Sequence, residues 1–564
     1  MTQTKIETNL TKTQKKQIHA WCMYDWANSA FATSLMVAIL PPYIIAIFKS
    51  TVGESTAFLG LNITGSTLWS FAVAFSTAIV ALSSPILGVI SDQRHLKKRL
   101  LTIYTIGGSL FTILAFFSAY TSNPLVFLIG CFIIATIGFG GATVWYNALL
   151  PNLAEPEYHD QISCRGFAYG YLGGGLLLVV HLIIIMIYQN TPEYDLVVRL
   201  CIASVGFWWF GFGLYSILKL PEPKSTNTQA INILKATKDA FFQIGNTLRN
   251  LRTFKMLGLF LIAYLLFNDG IQTVITISGA FGPEVLGITI TTLMYSIIII
   301  QFVAAAGSIL FEKLAKKLGA NTALQICLVG WIMIIVLAIG FAPLKPESHE
   351  NFDYQLEYNP TTNIYVFAKT PELSNSKLDE SWGQLQGDFT KYEDISIGTH
   401  YSVKATKNFI QEANLQSRFS ISINDGPLKT SMISTYHPAN ISGPLKWWPN
   451  AIRSYLWTPL GINISMQWLI LGIFVGIFMG GSQALARSIF SVMTPKKHSG
   501  EFFGFFGLVG RASAVFGPLL YGAMAGLIDQ RVGILAILVL IIAGTLLLKK
   551  VDIKAGQRTA ISKN

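Results

Sequence analysis

Long apolar runs recur along the whole chain, and polar stretches separate them. Twelve of these runs approach the roughly 20 residues that an α-helix needs to cross a bilayer. The predicted spans cover roughly residues 22–48, 66–91, 100–119, 124–149, 166–188, 197–218, 254–277, 286–310, 321–343, 464–486, 502–526 and 532–548. The pattern predicts an all-α polytopic membrane protein.

The composition supports this class. Of the 564 residues, 52% are hydrophobic and 12% are charged, whereas a soluble domain carries about 25% charged residues. Residues 1–21 are polar and lysine-bearing, and they lack the short apolar core and small-residue cleavage site of a signal peptide. We therefore expect a cytosolic N-terminal tail, with the first span as an uncleaved insertion signal.

The distribution of Lys and Arg predicts the orientation, because positively charged short loops resist translocation. With the N-terminus inside, cytosolic segments hold 27 of the 41 basic residues, including those of a C-terminal tail at 549–564. The short loops on the other side hold only Lys49, Arg199 and Arg531. Both termini are thus expected in the cytosol. This asymmetry and contact with anionic lipid headgroups account for the net charge of +12, so we do not expect nucleic-acid binding.

A polar segment, 219–253, follows the sixth span. It predicts a cytosolic linker between two six-helix halves. The N-terminal half is 22–218, and the C-terminal half combines 254–343 with 464–548.

A larger interruption, 344–446, holds 12 acidic and 9 basic side chains. Alternating runs predict short strands at 352–358, 364–368, 400–405 and 418–424. We expect a small external β-rich insert, which either binds a ligand or partner or only covers the outer face. The next segment, 447–463, begins with aromatic and basic residues that are typical of the membrane interface.

The two halves contain an internal repeat. YDWANSAF, around Asp25, has a counterpart in FNDGIQTV, around Asp269, at an offset of 244. Residues 140–157 resemble 480–497 at an offset of about 339. The offsets differ by 95, close to the 103 residues of the insert. A six-helix unit was therefore repeated in parallel, an organisation that major facilitator transporters use.

Several motifs carry a resemblance to a known family. They are YDWANSAFATSLM, YNALLP, YGYLGGGLLL, GGSQALARSIF and EFFGFFGLVGRASAVFGPLLYG. They resemble the unknown-major-facilitator family, whose eukaryotic members include the vacuolar amino-acid effluxers linked to autophagy. The resemblance covers roughly 20–343 and 464–548. It implies the major facilitator fold and solute transport and, by analogy with a few members, amino-acid export.

In that fold the first, fourth, seventh and tenth helices line the solute path, and here each carries polar residues. An ionisable group at bilayer depth is costly and usually faces a polar cavity. The candidate path residues are Asp25, Asn28, Tyr146, Asn147, Asp269, Gln272, Gln483, Arg487 and Arg511.

Each candidate also has a structural interpretation. Asp25 either caps the helix N-terminus or pairs with Arg165 or Arg487 at the cytosolic mouth, or it contacts solute or a coupling proton. Asp269 lies deeper and is the stronger candidate for such a contact. Arg487 and Arg511 either clamp a solute carboxylate or act as counter-ions for the aspartates. His181 is interpreted as a hydrogen-bonded packing residue in preference to a proton relay.

GVISDQRHLKKR, after the second span, resembles the cytosolic gating signature of the superfamily. Gly88 permits close helix approach, and Asp92 can meet the positive N-terminal end of a neighbouring helix. Arg94 supplies a basic residue of the signature. Gln93 and Leu96 depart from the usual pattern.

The five cysteines match no metal or redox spacing, and no Walker sequence is present. We therefore expect no metal, no cofactor, no enzymatic activity and no nucleotide-driven transport. The predicted function is secondary active transport of a small solute through the bilayer, with amino-acid efflux favoured. A non-transporting receptor that binds ligand through the insert is the alternative. A bacterial inner membrane is the favoured location, and a vacuolar or lysosomal-type membrane is the other one considered.

Overall fold

The computed structural model describes residues 10–53, 55–58, 61–94, 96–189, 191–221, 254–374, 376–390 and 395–562, although the side chains of a few of them, Arg94 included, lie outside this description. The predicted linker at 219–253 therefore lies outside the described residues from position 222 onwards.

In the described part of the chain, twelve helical segments are long and apolar enough to cross a membrane, which confirms the predicted number. They are Lys12–Thr51, Gly65–Asp92, Lys97–Tyr120, Pro124–Leu153, Pro156–Tyr188, Tyr194–Lys219, Lys255–Leu286, Ile290–Leu318, Ala320–Ile339, Ile464–Val492, Lys496–Leu527 and Gln530–Leu548. We number these spans first to twelfth. The side of the structure at which the first span begins and the twelfth span ends is here called the terminal face. The opposite side is called the insert face.

The first span starts ten residues before the apolar run that predicted it. Thr11 and Gln14 form a reciprocal capping box, in which the Gln14 amide donates to the Thr11 hydroxyl at 3.2 Å and the Thr11 amide donates to the Gln14 side chain at 3.0 Å. Such capping stabilises a polar first turn that hydropathy does not reveal. The predicted tail at 1–21 is thus helical from Lys12 onwards, and the C-terminal tail contains the helix Ile553–Ser562.

The eleventh span is discontinuous. It consists of the helices Ser499–Ala512 and Phe516–Leu527, preceded by the short turn Lys496–His498. The break is short: the Ser513 amide donates to the Val509 carbonyl at 2.9 Å, and the Val515 carbonyl accepts from the Leu519 amide at 3.4 Å, so the residues of the break are bonded to both helices.

Each half has its own buried core. One apolar cluster is drawn from the first six spans and includes Trp145 and Trp209, and another is drawn mainly from the last six and includes Trp331. Within the first half, Gly108 and Gly138 bring the third and fourth spans so close that a Cβ on Gly138 would overlap the backbone of Gly108, and a Cβ on Gly108 would overlap the Trp209 ring. Small residues at such crossings permit dense helix packing in membranes.

The insert between the ninth and tenth spans contains a mixed five-stranded sheet. Its strands are β3 (Tyr354–Asn359), β4 (Ile364–Lys369), β5 (His400–Ser402), β6 (Ser420–Ile423) and β7 (Thr430–Ile433), in the order β5-β4-β3-β6-β7, whereas β1 (Thr56–Phe58) and β2 (Leu61–Ile63) form a separate hairpin. All neighbours in the larger sheet are antiparallel except β3 and β6.

The predicted sheet is confirmed, but one predicted strand is partly wrong, and the strand β7 and two helices were not predicted. The run 400–405 is extended only to Ser402, because the Ser402 hydroxyl caps the helix Val403–Gln416. The other helix is Lys377–Thr390. Both pack on the sheet around buried aromatic residues, among them Trp382 and Phe409.

The insert is attached to the C-terminal half. Glu372 accepts a hydrogen bond from the Thr291 hydroxyl at 2.6 Å, and Glu284 accepts one from the Lys377 amide at 3.1 Å. The segment after the insert forms the short helices Trp447–Ile452 and Arg453–Trp457. Trp448 donates to the Val336 carbonyl at 2.9 Å, which ties this segment to the end of the ninth span.

Candidate functional site

Asp25 lies inside the first span, more than three turns after Lys12. It therefore does not cap the helix N-terminus, and that interpretation is wrong. Its carboxylate accepts hydrogen bonds from the Tyr146 hydroxyl at 2.7 Å and from Arg487 Nη1 at 3.1 Å. The first, fourth and tenth spans thus meet at one carboxylate.

Arg487 makes further hydrogen bonds and ring contacts within this cluster. Its guanidinium donates to Asn147 Oδ1 at 3.2 Å, to the Ser163 hydroxyl at 2.9 Å and to the Ser163 carbonyl at 2.8 Å. The charge also lies 4.1 Å from the centre of the Phe167 ring. Only 3% of Arg487 and 8% of Asp25 are exposed. Both charges are therefore paired and satisfied inside the protein, as burial requires.

The fifth span makes room for this cluster. A Cβ at Gly166 would lie 2.7 Å from Asp25 Oδ2, so glycine is required for the close approach of the fifth and first spans. Arg165, the other predicted partner of Asp25, instead lies 3.6 Å from Glu312 of the eighth span. This second pair also joins the two halves at the terminal face.

The motif after the second span contacts the start of the eleventh. Asp92 accepts hydrogen bonds from the Gly500 amide at 2.9 Å and the Glu501 amide at 2.7 Å. Lys97 pairs with Asp92 at 2.7 Å and donates to the Ser499 hydroxyl at 2.6 Å. Asp92 therefore compensates the positive N-terminal end of a helix in the other half.

Close packing accompanies this contact. A Cβ on Gly88 would overlap the Gly500 carbonyl, so the second and eleventh spans touch through two glycines. The side chain of the third predicted gate residue, Arg94, lies outside the described part of the structure.

A second polar layer surrounds the break in the eleventh span. The two oxygens of Asp269 lie 3.0 and 3.1 Å from the Gly517 amide, at the start of the second helix of that span. A carboxylate at a helix N-terminus satisfies an orphan donor and complements the helix dipole. Asp269 therefore caps a helix of a different span, a role that its position in the sequence does not reveal.

The neighbouring amides extend this layer. Gln483 donates to the Asn268 side chain at 3.1 Å, and Asn268 donates to the Ser513 hydroxyl in the break itself. Two predicted path residues, Asn28 and Gln272, have no side-chain hydrogen bond to any residue that the structure describes. Asn28 is buried, and Gln272 is half-buried.

Arg511 lies at the end of the first helix of the eleventh span and is half-buried. It donates to two carbonyls, Gly507 at 3.0 Å and Gly140 at 3.0 Å, and the second of these belongs to the fourth span. Among the described residues no carboxylate lies within ion-pair distance of it. The prediction that Arg511 is the counter-ion of Asp25 or Asp269 is therefore wrong, because both carboxylates are bonded elsewhere.

His181 bridges two helices. One ring nitrogen lies 2.6 Å from the Ser34 hydroxyl and the other 2.7 Å from the Ser204 hydroxyl. Both ring nitrogens thus have partners in a buried position, the geometry of a packing histidine. All five cysteines are free thiols, and no group of three or more His, Cys, Asp or Glu side chains in the described residues has the spacing of a metal site.

Several residues in these contacts were not selected from the sequence, among them Ser163, Asn268, Glu312 and Ser513. Glu312 is a charged residue in an apolar span, which is a usable signal. The other three have small or neutral side chains, and their roles depend on partners that lie far away in the sequence.

The sequence matches a family model described as "Vacuole effluxer Atg22 like" over residues 13–368 and 447–561. The chain belongs to this family. The match omits residues 369–446, so most of the insert of this Atg22-like protein lies outside it.

Two relatives illustrate the range of the family. The chain is 25% identical over 541 residues to the uncharacterized MFS-type transporter YxiO of Bacillus subtilis (strain 168), with 94% of each chain covered. It is 20% identical over 647 residues to autophagy-related protein 22 of Coccidioides immitis (strain RS), with 97% of this chain and 88% of the relative covered. The Atg22-like protein is therefore a multi-pass membrane transporter for a small molecule.

Solved structures show the same fold. The proton:xylose symporter XylE of the major facilitator superfamily matches with a TM-score of 0.53 and 12% identity, covering 95% of this chain and 94% of the other. A bacterial homologue of the iron transporter ferroportin, in an outward-facing state, matches with a TM-score of 0.51 and 11% identity, covering 96% and 99%. The predicted major facilitator fold is thus confirmed.

Proposed function

We propose that this protein is a secondary active transporter that moves a small carboxylate-bearing solute, with amino acids first among the candidates, by alternating access. The observation that carries the solute class is Arg511, a half-buried guanidinium in a membrane span with no carboxylate partner among the described residues. A guanidinium has five N–H donors in a planar fork that fits a carboxylate. Its two carbonyl bonds leave donors free for a solute.

The surrounding residues fit such a solute. The amides of Gln483 and Asn268 and the hydroxyl of Ser513 form a hydrogen-bonded layer at the break in the same span. Discontinuous helices near the bilayer midplane commonly hold substrates and coupling ions in transporters. Asp269 borders this layer and is the candidate group for a coupling proton.

Two of the ion pairs that join the halves support alternating access. Asp25–Arg487 and Arg165–Glu312 both cross between the halves at the terminal face. In a rocking mechanism the halves must separate there in the other state, so these pairs act as a latch. Asp25 and Arg487 thus serve as gate residues in this proposal, rather than as solute ligands.

The proposal also covers the direction of transport and the membrane in which the protein lies. The description of the family as effluxers supports efflux, and the bacterial relative supports a bacterial inner membrane. The concentration of Lys and Arg at the terminal face supports cytosolic termini. The Atg22 relatives are the reason that a vacuolar-type membrane is the second location considered.

Flux in proteoliposomes tests the proposal. Purified protein would be reconstituted, and uptake of radiolabelled amino acids would be measured with and without an imposed proton gradient. Arg511→Gln should lower the flux by roughly tenfold or more, because a hydrogen bond to a charged group is worth about 1.5–3 kcal/mol. Arg511→Lys, which keeps the charge and loses the fork, should retain an intermediate rate.

The control is Arg558→Gln, in the C-terminal helix, which should leave the flux unchanged. No flux of any amino acid, from protein that is folded and correctly inserted, would contradict the proposed solute. Equal flux in Arg511→Gln and the wild type would contradict the role of Arg511.

A further inference from the structure

A cavity of about 820 Å³ lies between the insert and the C-terminal half at the insert face. Its walls combine the insert with the turn between the seventh and eighth spans, the segment after the ninth span and the start of the tenth. Small-molecule sites typically have volumes of roughly 300–1,000 Å³. None of the lining residues belongs to the polar layer around Arg511, so this is a separate cavity.

Three basic side chains line the cavity without a carboxylate partner among the described residues. Arg453 donates to the Ala439 carbonyl at 2.9 Å, the Pro343 carbonyl at 3.3 Å and the Asn450 side chain at 2.7 Å. Lys369 donates to two carbonyls, those of Glu350 at 3.0 Å and Phe352 at 2.9 Å. Lys345 is exposed and has no hydrogen bond to a described residue. These bonds orient the first two side chains but leave the positive charges uncompensated.

The acidic side chains in the same walls are mostly engaged. Asp353 accepts hydrogen bonds from the Ser420 amide at 2.8 Å and hydroxyl at 2.7 Å, and it lies 3.5 Å from His437. Glu372 accepts the hydrogen bond from Thr291 described above. Glu347 is exposed, and the described residues give it no partner.

A fourth basic residue is already matched. Arg418 forms a two-point pair with Asp379, with bonds of 2.7 and 2.8 Å. The cavity walls thus hold three cations without a carboxylate partner and three carboxylates, of which Asp353 and Glu372 accept hydrogen bonds and Glu347 accepts none from a described residue.

We propose that this cavity is a binding site for a small carboxylate-bearing solute, held by Arg453, Lys369 and Lys345. Charge-assisted hydrogen bonds to carboxylates are the strong ones in proteins, and the guanidinium of Arg453 adds a planar fork. Glu347 supplies an acceptor for an amino group, so amino acids and short peptides fit better than simple polyanions. The site lies outside the membrane, and it exists whether or not the spans transport the same solute.

Isothermal titration of the full-length protein in lipid nanodiscs tests this site, with L-glutamate and dialanine as probes. Lys345→Gln and Lys369→Gln should each weaken binding of at least one probe by roughly tenfold. Lys345 is exposed and without a described partner, so its substitution leaves the fold intact. Lys404→Gln, in a helix of the insert away from the cavity, is the matched control, and Arg511→Gln reports on the membrane site.

The proposal requires that binding be weakened by the cavity variants and retained in Arg511→Gln and Lys404→Gln. Binding that is lost in Arg511→Gln but unchanged in Lys345→Gln and Lys369→Gln would overturn it, because the probes would then occupy only the membrane site. The absence of binding heat for both probes would overturn it as well. Flux measurements on Arg511 variants test the transport proposal separately.

Discussion

Arg487 in the tenth span donates a hydrogen bond through Nη1 to Oδ2 of Asp25 in the first span, across 3.1 Å and between residues 462 positions apart. The bond is an ion pair between the two halves of the protein. Both partners are buried, so separation of the halves at the terminal face must break it. The stability of the closed terminal face therefore depends on the ion pair between Asp25 and Arg487.

Asp25→Asn should weaken the closed terminal face. The amide keeps one hydrogen-bond acceptor but removes the charge, and an unpaired buried Arg487 is costly. Two native cysteines report the change, because Cys22 and Cys164 are buried in the first and fifth spans beside this pair. We expect faster labelling of both thiols by a membrane-impermeant maleimide, measured by peptide mass spectrometry.

Asp195→Asn provides the matched control. Asp195 pairs with Arg199 at 2.8 Å within the sixth span, so its ion pair does not join the halves. Labelling of Cys22 and Cys164 should be unchanged in this variant. If Asp25→Asn left the labelling rates at the wild-type level, the latch interpretation would be wrong.

Gly88→Ala should destabilise the protein. The added Cβ would overlap the Gly500 carbonyl across the second and eleventh spans, and forced overpacking costs about 1–3 kcal/mol. Gly107→Ala is the comparison, since a Cβ at Gly107 meets nothing within 4 Å. Thermal unfolding in one detergent should show a lower midpoint for Gly88→Ala only. Equal midpoints in the two variants would exclude a tight crossing at Gly88.

Two substitutions of Asp269 distinguish a capping role from a role in proton coupling. Asp269→Asn retains an acceptor for the Gly517 amide and should preserve the fold, whereas Asp269→Ala removes the cap and should cost about 0.5–2 kcal/mol. If Asp269 carries the coupling proton, Asp269→Asn should also abolish the dependence of flux on the proton gradient. Proteoliposome flux and thermal unfolding separate the two roles. Proton-dependent flux that survives in Asp269→Asn would leave Asp269 with the capping role only.

The insert should lose stability in acid through Asp353. Burial raises the pKa of this carboxyl, but hydrogen bonds from His437 and Ser420 outweigh that effect and hold the pKa below its ordinary value. A depressed folded-state pKa stabilises the fold above the unfolded pKa, and this contribution disappears as the pH falls through the folded value. The insert therefore loses the stabilising contribution of Asp353 as the pH falls below the unfolded pKa of aspartate.

Amide hydrogen exchange of β3 and β6 in the full-length protein measures this effect. Protection factors, corrected for intrinsic exchange, should fall between about pH 6 and about pH 3 in the wild type and fall less in Asp353→Asn. Asp425→Asn, at an exposed turn of the insert, is the control and should behave as the wild type. Identical acid profiles for Asp353→Asn and the wild type would contradict this prediction.

The sequence predicted the number of spans because each must be apolar over a bilayer thickness, a property of local composition. It missed the polar first turns of the first span, which the capping box at Thr11 stabilises and hydropathy does not record. It also missed the two helices of the insert, since short amphipathic helices and surface loops have similar compositions. The extension of 400–405 as a strand failed for a local reason, the capping hydroxyl of Ser402.

The two repeated aspartates, Asp25 and Asp269, show which features of the candidate site can be predicted from the sequence. The repeat places Asp25 and Asp269 at equivalent positions in the two halves, and both are buried. Their partners differ completely, since Asp25 pairs with a guanidinium and Asp269 caps a helix through the Gly517 amide. Equivalent positions in a repeat therefore do not imply equivalent chemistry.

By itself, the sequence determined the membrane class, the two repeated halves, the presence of a sheet in the insert and the polar residues worth testing. These follow from composition and periodicity, which act over neighbouring residues. Only the tertiary structure decided that Asp25 is matched by Arg487, that Arg511 has no described carboxylate partner and that a charged cavity lies beneath the insert. A charge in a membrane protein is defined by what lies within a few ångströms of it, and those partners come from distant parts of the chain.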